Sequence, residues 1–549
     1  MVATPTALPT RSYADEARVQ EINDAAQKDM RRAMALAARA KMDGIADPTI
    51  HHLLALEHRD HRRFEEAVVE LGLGLELDPK DSKLMTTLGY CLLDLDRRQE
   101  AAQVFEVALK LNPHSPEANH GYGWAAERLG ALEAAQSGFS RAVSFNPNHA
   151  DALAGLSGLA ARRRDWKAAQ DYAERAVAID PGQTDALANL ARVDIGTARY
   201  DAAERRLQDV LAMSGLHPMA RINAQVLLGD ALDGAGRYRK AYAAYARGKA
   251  EMRETYKETF EAEGEGRAAD GIRAIMTEFL ETPAASWSAP NTSLRISGGH
   301  AFLTGFPRSG TTLLEQVLDT HPQVVALGER PLLADAEIEF LTQRGGIARL
   351  SGVVGDLLEP FRDSYWRKAG EYGALSADAV FVDKHPLSTI RLPLIAKVFP
   401  TAKIIFMIRD PRDVVLSCFR RSFNVNNSTY EFNSIENAAN YYATVMEAGA
   451  VYLDRLPLET LKVHYEDLVA DFEGQTRALC DFLGLEWTAK LRDFAATARA
   501  NAIATPSSTQ VGRGLYEGGV DQWRNYDFAL KPVMPILQPW IDKFGYAAE

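Results

Sequence analysis

Apolar and small positions recur along the first half of the chain with a fixed beat. Pro79, Pro113, Pro147 and Pro181 stand 34 residues apart, and each closes an apolar-periodic segment such as Leu77-Asp78-Pro79 or Phe145-Asn146-Pro147. Small residues keep the same register at Ala55, Gly89, Gly123, Ser157 and Ala191, and twelve positions later at Ala67, Ala101, Ala135, Ala169 and Ala203. Seven further on come Gly74, Ala108, Ala142, Ala176 and Val210. A bulky column runs through Leu71, Phe105, Phe139 and Leu207, and Ala173 breaks it. After a slip of four residues the pattern returns at Gly229, Ala241, Tyr245 and Gly248. Two short antiparallel helices need small residues where they cross, a plug toward the next pair, and a Pro to stop the second helix. An α-solenoid is therefore predicted over 48–260, with 1–47 as a leading helix or cap. Residues 261–298 lose the period, with a helix near 270–281 followed by a Pro/Ser/Asn stretch, and read as a linker.

From His300 the periodicity changes. Apolar runs at 301–304, 379–382, 403–408 and 460–465 read as strands, and helical stretches at 311–320, 391–399, 411–422, 434–455 and 472–483 separate them. Buried strands alternating with helices predict an α/β domain with a parallel sheet over 299–549. Ligands in such sheets bind at the carboxyl ends of strands. Chemistry is therefore expected near 305–312, 383–386 and 409–417.

Composition narrows the class. The 549 residues carry 62 Lys+Arg against 74 Asp+Glu, a formal charge of −12, which argues against a general nucleic-acid or anionic-membrane binder. No apolar run is long enough to span a membrane, and residues 1–18 have no signal-peptide core. Three cysteines, Cys91, Cys418 and Cys480, make neither a disulfide framework nor a metal motif. A reducing, cytoplasmic location fits this usage. His51, His52, His58 and His61 cluster in the first repeat, but solvated helix faces explain them better than a metal site. No metal is expected.

The run Gly305-Phe306-Pro307-Arg308-Ser309-Gly310-Thr311-Thr312 follows the first strand and opens a helix. Glycines at that spacing let backbone N–H groups face one anion, helped by the helix N-terminus. The lysine of a nucleotide-triphosphatase loop is absent, since Thr311 stands there, and Arg308 supplies a cation instead. A phosphotransferase reading, with Asp383 as a metal-holding residue, loses ground accordingly. About 100 residues on, Arg409-Asp410-Pro411-Arg412-Asp413 follows the third strand, with Ser417 eight positions after Arg409. An Arg at a strand end and a Ser two turns into the next helix can grip one phosphate together.

The first half resembles the tetratricopeptide repeat. The loop Gly305–Thr312, continued to His321-Pro322, resembles the 5′-phosphosulfate loop of sulfotransferases, most closely the tyrosylprotein branch. The resemblance implies 3′-phosphoadenosine 5′-phosphosulfate (PAPS) as donor. Arg308, Ser309, Gly310, Thr311 and Thr312 would hold its 5′ end, and Arg409 with Ser417 its 3′-phosphate. It implies Glu329, after Gly328, as the base. His385, in Asp383-Lys384-His385-Pro386, is the rival because small-molecule sulfotransferases use a His two positions after the strand-end Lys. Lys384 matches the leaving-group stabiliser, with Arg308 assisting. Ser507 to Tyr516 resembles a Gly-rich lid, in which Arg513 is shifted by one place from the expected donor contact. The expected reaction is sulfuryl transfer to a hydroxyl, foremost protein tyrosine, with a sugar or lipid-linked hydroxyl as the other acceptors. The repeat groove would recruit a protein or peptide acceptor.

Overall fold

The computed structural model describes residues 12–261, 267–287, 299–353, 355–373, 378–496 and 519–547. They form two compact units, Met1–Val193 and Asp194–Glu549.

In the first unit the leading segment is two helices, not one: α1 (Tyr13–Ala26) and α2 (Met30–Met42), with Asp29 capping the second. The 34-residue beat then resolves into pairs. These are α3 (Pro48–Asp60) with α4 (Phe64–Leu77), α5 (Ser82–Asp94) with α6 (Arg98–Leu111), α7 (Pro116–Arg128) with α8 (Leu132–Phe145), and α9 (Ala150–Arg162) with α10 (Trp166–Ile179). The small columns sit where helices touch. A Cβ on Gly89 would lie 2.6 Å from the Phe105 ring, and one on Gly121 only 2.2 Å from it. Where Ala173 interrupts the bulky column, it is buried in one apolar cluster with Leu153 and Leu190. The first-repeat histidines depart from expectation. His51 is buried and bonds Glu70 Oε2 at 2.8 Å, and His52 Nε2 meets Thr87 Oγ1 at 2.8 Å, so neither is a solvated face.

Helix α11 (Thr184–Gly196) leads to the second unit, which holds α12 (Tyr200–Ala212), α13 (Pro218–Gly234) and α14 (Tyr238–Phe260). The slip in the repeat has a simple cause. Helix α13 starts in register but runs 17 residues where α3, α5, α7, α9 and α11 run 13, one extra turn. Gly229 is then needed, because a Cβ there would stand 2.3 Å from Tyr245.

The compact units thus divide inside the repeat array rather than in 261–298. Within the second unit the described part of that stretch is packed. Helix α15 (Ala268–Glu281) lies along α23 (Ile435–Arg455), with Phe279 edge-on to Tyr452 at 4.9 Å and Arg273 Nη2 donating to Thr444 Oγ1 at 3.0 Å. Trp287 is fully buried beside Phe279.

The sheet has five parallel strands in the order β2-β3-β1-β4-β5: β1 (His300–Thr304), β2 (Val324–Ala326), β3 (Val380–Lys384), β4 (Lys403–Ile408) and β5 (Thr460–His464). Four match the expected runs. The short β2 carries too few apolar residues to stand out in the sequence. Helix α16 (Thr311–Asp319) follows β1, and α21 (Pro411–Arg420) follows β4. The chain winds to β3 on one side of β1 and to β4 on the other, so the segments after these three strands converge at one sheet end. Among the described residues no helix is long and apolar enough to cross a membrane.

Candidate active site

The loop after β1 can take its shape only with glycine at two places. At Gly305 a Cβ would meet Met407 O at 2.5 Å, and at Gly310, with φ +104°, it would meet the Tyr465 ring at 2.6 Å. Arg308 also lies in the left-handed region, with φ +72°, an uncommon conformation for a residue with a side chain. It sits among cations. Burial, and then the neighbouring Arg421, bring its guanidinium down to about 9, with Arg409 acting in the same direction. A bound anion would relieve that environment.

The two expected phosphate motifs meet directly. Arg308 Nε donates to Ser417 Oγ at 2.9 Å, and Arg409 Nη1 donates to the carbonyl of Arg308 at 3.0 Å. Arg409 is buried, lies 4.8 Å over the Tyr465 ring, and also donates to Gly519 O. Its Nε has no partner among the described residues. Asp410 is the cap of α21 and accepts from the Arg412 side chain, Nε to Oδ1 at 3.0 Å and Nη2 to Oδ2 at 2.7 Å among them, so Arg412 is not a solvated side chain. Arg412 stacks on Trp523 at 3.7 Å, and Trp523 N donates to Asp413 Oδ1 at 2.9 Å. This ties 519–526 to the start of α21.

On the β3 side, Lys384 is fully buried, with Nζ 2.8 Å from Glu329 Oε1 and 3.1 Å from Glu315 Oε2. Burial pushes its pKa down, but the two carboxylates outweigh that and leave it raised. Glu315 is buried too, and burial raises its pKa, with Lys384 opposing. Glu329 is half-exposed. His385 differs in kind. Its Nδ1 accepts Leu387 N–H at 3.2 Å, which places the proton of the neutral ring on Nε2. Burial, then the Arg391 and Lys384 cations, hold its pKa well below the usual histidine value.

Behind the site, Asp383 accepts a hydrogen bond from Tyr365 OH at 2.8 Å, and His300 Nε2 lies 2.9 Å from the same hydroxyl. Burial raises Asp383 to about 6 and lowers His300 to about 3. Asp383 therefore faces an aromatic cluster rather than the loop.

A cavity of about 360 Å³ borders the phosphate loop, Glu329 and His385, while Lys384, Arg409 and Ser417 are not among its lining residues. Arg308, Gly310, Thr311 and Thr312 form one wall, with Glu329 and His385 beside it. Phe423 with Asn426, Asn427, Ser428 and Thr429, a segment with no motif in the sequence, also line the cavity. Ser309 is buried in the loop, its Oγ 3.4 Å from Phe306 N, so it stabilises the turn. Arg513 and the Gly-rich segment around it lie outside the described residues. Glu315 was not singled out by sequence reasoning. Its one signal is a charged residue inside the run Leu313-Leu314-Glu315-Gln316-Val317-Leu318. No group of three or more His, Cys, Asp or Glu among the described residues is placed to hold a metal ion.

Residues 301–489 match the model of the Sulfotransferase family, and 92–159 and 160–218 match that of the tetratricopeptide repeat. The chain carries a sulfotransferase domain behind tetratricopeptide repeats. Protein-tyrosine sulfotransferase 1 of Danio rerio is 25% identical over 256 residues, which cover 45% of this chain and 71% of that one. An uncharacterized protein of Aquifex aeolicus is 28% identical over 253 residues, 44% of this chain. The match spans only about a third of that relative, 32% of its length. The sulfotransferase domain of the Synechococcus PCC 7002 olefin synthase aligns over 48% of this chain and 100% of that one, at 22% identity and a TM-score of 0.33.

Proposed function

We propose that this sulfotransferase domain moves a sulfuryl group from PAPS to a hydroxyl acceptor, foremost a tyrosine of a protein. The observation that carries the reading is the meeting of the two phosphate motifs, Arg308 on Ser417 at 2.9 Å and Arg409 on the Arg308 carbonyl at 3.0 Å. The family typically uses PAPS. PAPS supplies the sulfuryl group, which leaves its 5′-phosphate oxygen for the acceptor oxygen. The loop amides from Ser309 to Thr312, with Arg308, would bind the 5′ end, and Arg409 with Ser417 the 3′-phosphate.

Glu329 is the base in this reading and takes the acceptor proton. It borders the cavity and touches Lys384, so proton acceptor and leaving-group cation form one pair. His385 is less suited, because the nitrogen left for the cavity carries a proton and is a donor. Lys384 lends positive charge to the departing phosphate oxygen, with Arg308 assisting.

The tyrosine acceptor draws support from the protein-tyrosine sulfotransferases among the relatives. A carbohydrate hydroxyl is the second reading, favoured by the polar wall Asn426, Asn427, Ser428 and Thr429. The repeats recruit the protein acceptor. Glu117, Asp151 and Asp185 recur at 34-residue spacing, are exposed, and fit a basic segment. A thermal-shift titration tests the donor: 3′,5′-ADP should raise the melting temperature and ATP should not. Protection by ATP alone would refute the reading.

A further inference from the structure

Helix α21 carries Ser417 and follows Arg409, and its far end is held by the repeat helices. Lys249 of α14 is buried, and its Nζ donates to the carbonyl of Arg421, the C-cap of α21, at 2.8 Å. Arg420, the last helical residue, is buried against Asp233 of α13 at 2.5 Å. Asp233 also accepts from Tyr526 OH at 2.5 Å, and Arg421 reaches Asp230 at 3.3 Å. Tyr242 of α14 packs on Phe419 at 5.4 Å. A cation at a helix C-terminus satisfies the last carbonyls and complements the dipole. A buried Arg held by one carboxylate loses its place when that carboxylate is removed. The charged groups that fix this end of α21 thus come from the repeat helices, one turn from Ser417, with Gln522 Oε1 at 3.3 Å and the Tyr526 ring also against Arg420.

We infer that Asp233 and Lys249 are positioning residues for the 3′-phosphate subsite, so that the last repeat pair is a working part of the donor site. The inference rests on the PAPS reading above. Helix α21 held at its C-terminus keeps Ser417 against Arg308, and with it the geometry that distinguishes a 3′-phosphorylated nucleotide from its parent. Burial lowers the Lys249 pKa to about 8, which agrees with a lysine committed to a backbone carbonyl in a closed interface.

The test uses the full chain and two probes, 3′,5′-ADP and 5′-AMP, titrated by calorimetry. For Lys249→Met and Asp233→Asn, the Kd of 3′,5′-ADP should rise about three- to tenfold while that of 5′-AMP stays within about twofold. Asp233→Glu and Lys249→Arg, which keep charge and reach, should restore most of the ratio and stand in if the first variants fail to fold. Loss of the same factor for both nucleotides, or of neither, overturns the positioning role. Wild-type protein that binds no 3′,5′-ADP overturns the donor reading instead.

Discussion

The pair of carboxylates on Lys384 makes a sharp stability prediction. Lys384→Met removes the cation and leaves Glu315 buried with no counter-charge, whereas half-exposed Glu329 simply hydrates. At 3.1 Å the Lys384–Glu315 attraction is about 5 kcal/mol for an effective dielectric of about 20. The variant avoids a bare buried carboxylate by protonating Glu315. That sets the cost: moving a carboxyl of ordinary pKa about 4.3 to its acid form at pH 7 takes about 3.7 kcal/mol, and at pH 5 about 1 kcal/mol. The sign follows from the proton counts. The unfolded chain ionises Glu315 near pH 4.3 while the folded variant keeps its proton, so stability falls as pH rises. Urea unfolding at pH 5 and pH 7 should therefore give losses of about 1 and 3–4 kcal/mol relative to wild type. Adding Glu315→Gln should recover most of the loss at pH 7. A loss that does not depend on pH, or a double variant no better than the single one, would refute the reasoning.

Three further outcomes follow from the packing. Gly121→Ala puts a methyl 2.2 Å from the buried Phe105 ring, and the overpacking should cost roughly 1–3 kcal/mol, read as a fall in the melting temperature of the repeat unit. Gly310→Ala sets a Cβ 2.6 Å from Tyr465 at a positive φ, so 3′,5′-ADP binding should drop by at least about tenfold in calorimetry; unchanged affinity would mean the loop does not hold the nucleotide. His300, lowered to about 3, makes stability fall as pH drops below about 6.5, whereas Asp383, raised to about 6, makes it fall as pH rises from about 4. The two nearly cancel between pH 4 and 6. Asp383→Asn should expose the histidine alone, with stability rising by about 1.4 kcal/mol per pH unit across that window; a flat urea-unfolding profile contradicts this.

The repeats were legible because their determinants are local and periodic. A crossing that admits only a small residue recurs every 34 positions, and a Pro marks each stop. The four-residue slip was visible as a shift, but a shift alone does not tell an added turn in α13 from a longer loop. Strands β1, β3, β4 and β5 were legible as apolar runs, whereas β2 has three residues and gains its place only by pairing with β3. The loop and the strand-end Lys384 and Arg409 stood out because backbone shape and charge are written in consecutive residues. Tyr465 and the segment Phe423–Thr429 did not, since each reaches the site from a distant part of the chain, and Glu315, only three residues past Thr312, did not because its role depends on burial and on pairing with Lys384. The packing of 267–287 was not legible for a related reason. Loss of the repeat period says nothing about Phe279 and Trp287 finding a core elsewhere, and nothing in the repeats marks Asp233 and Lys249 as partners of α21.

Sulfuryl transfer itself is the central claim, and transfer of radiolabelled sulfate from PAPS tests it most directly. Wild-type protein, incubated with labelled PAPS and an extract of proteins and glycans, should place label on an acceptor. Label should appear as tyrosine sulfate after hydrolysis if the acceptor is a protein tyrosine. Glu329→Gln should slow the transfer by about 10²–10⁴ with donor affinity nearly kept, the range for losing a general base. His385→Ala should leave it close to wild type. No incorporated label, or transfer that survives Glu329→Gln but fails with His385→Ala, would contradict the account.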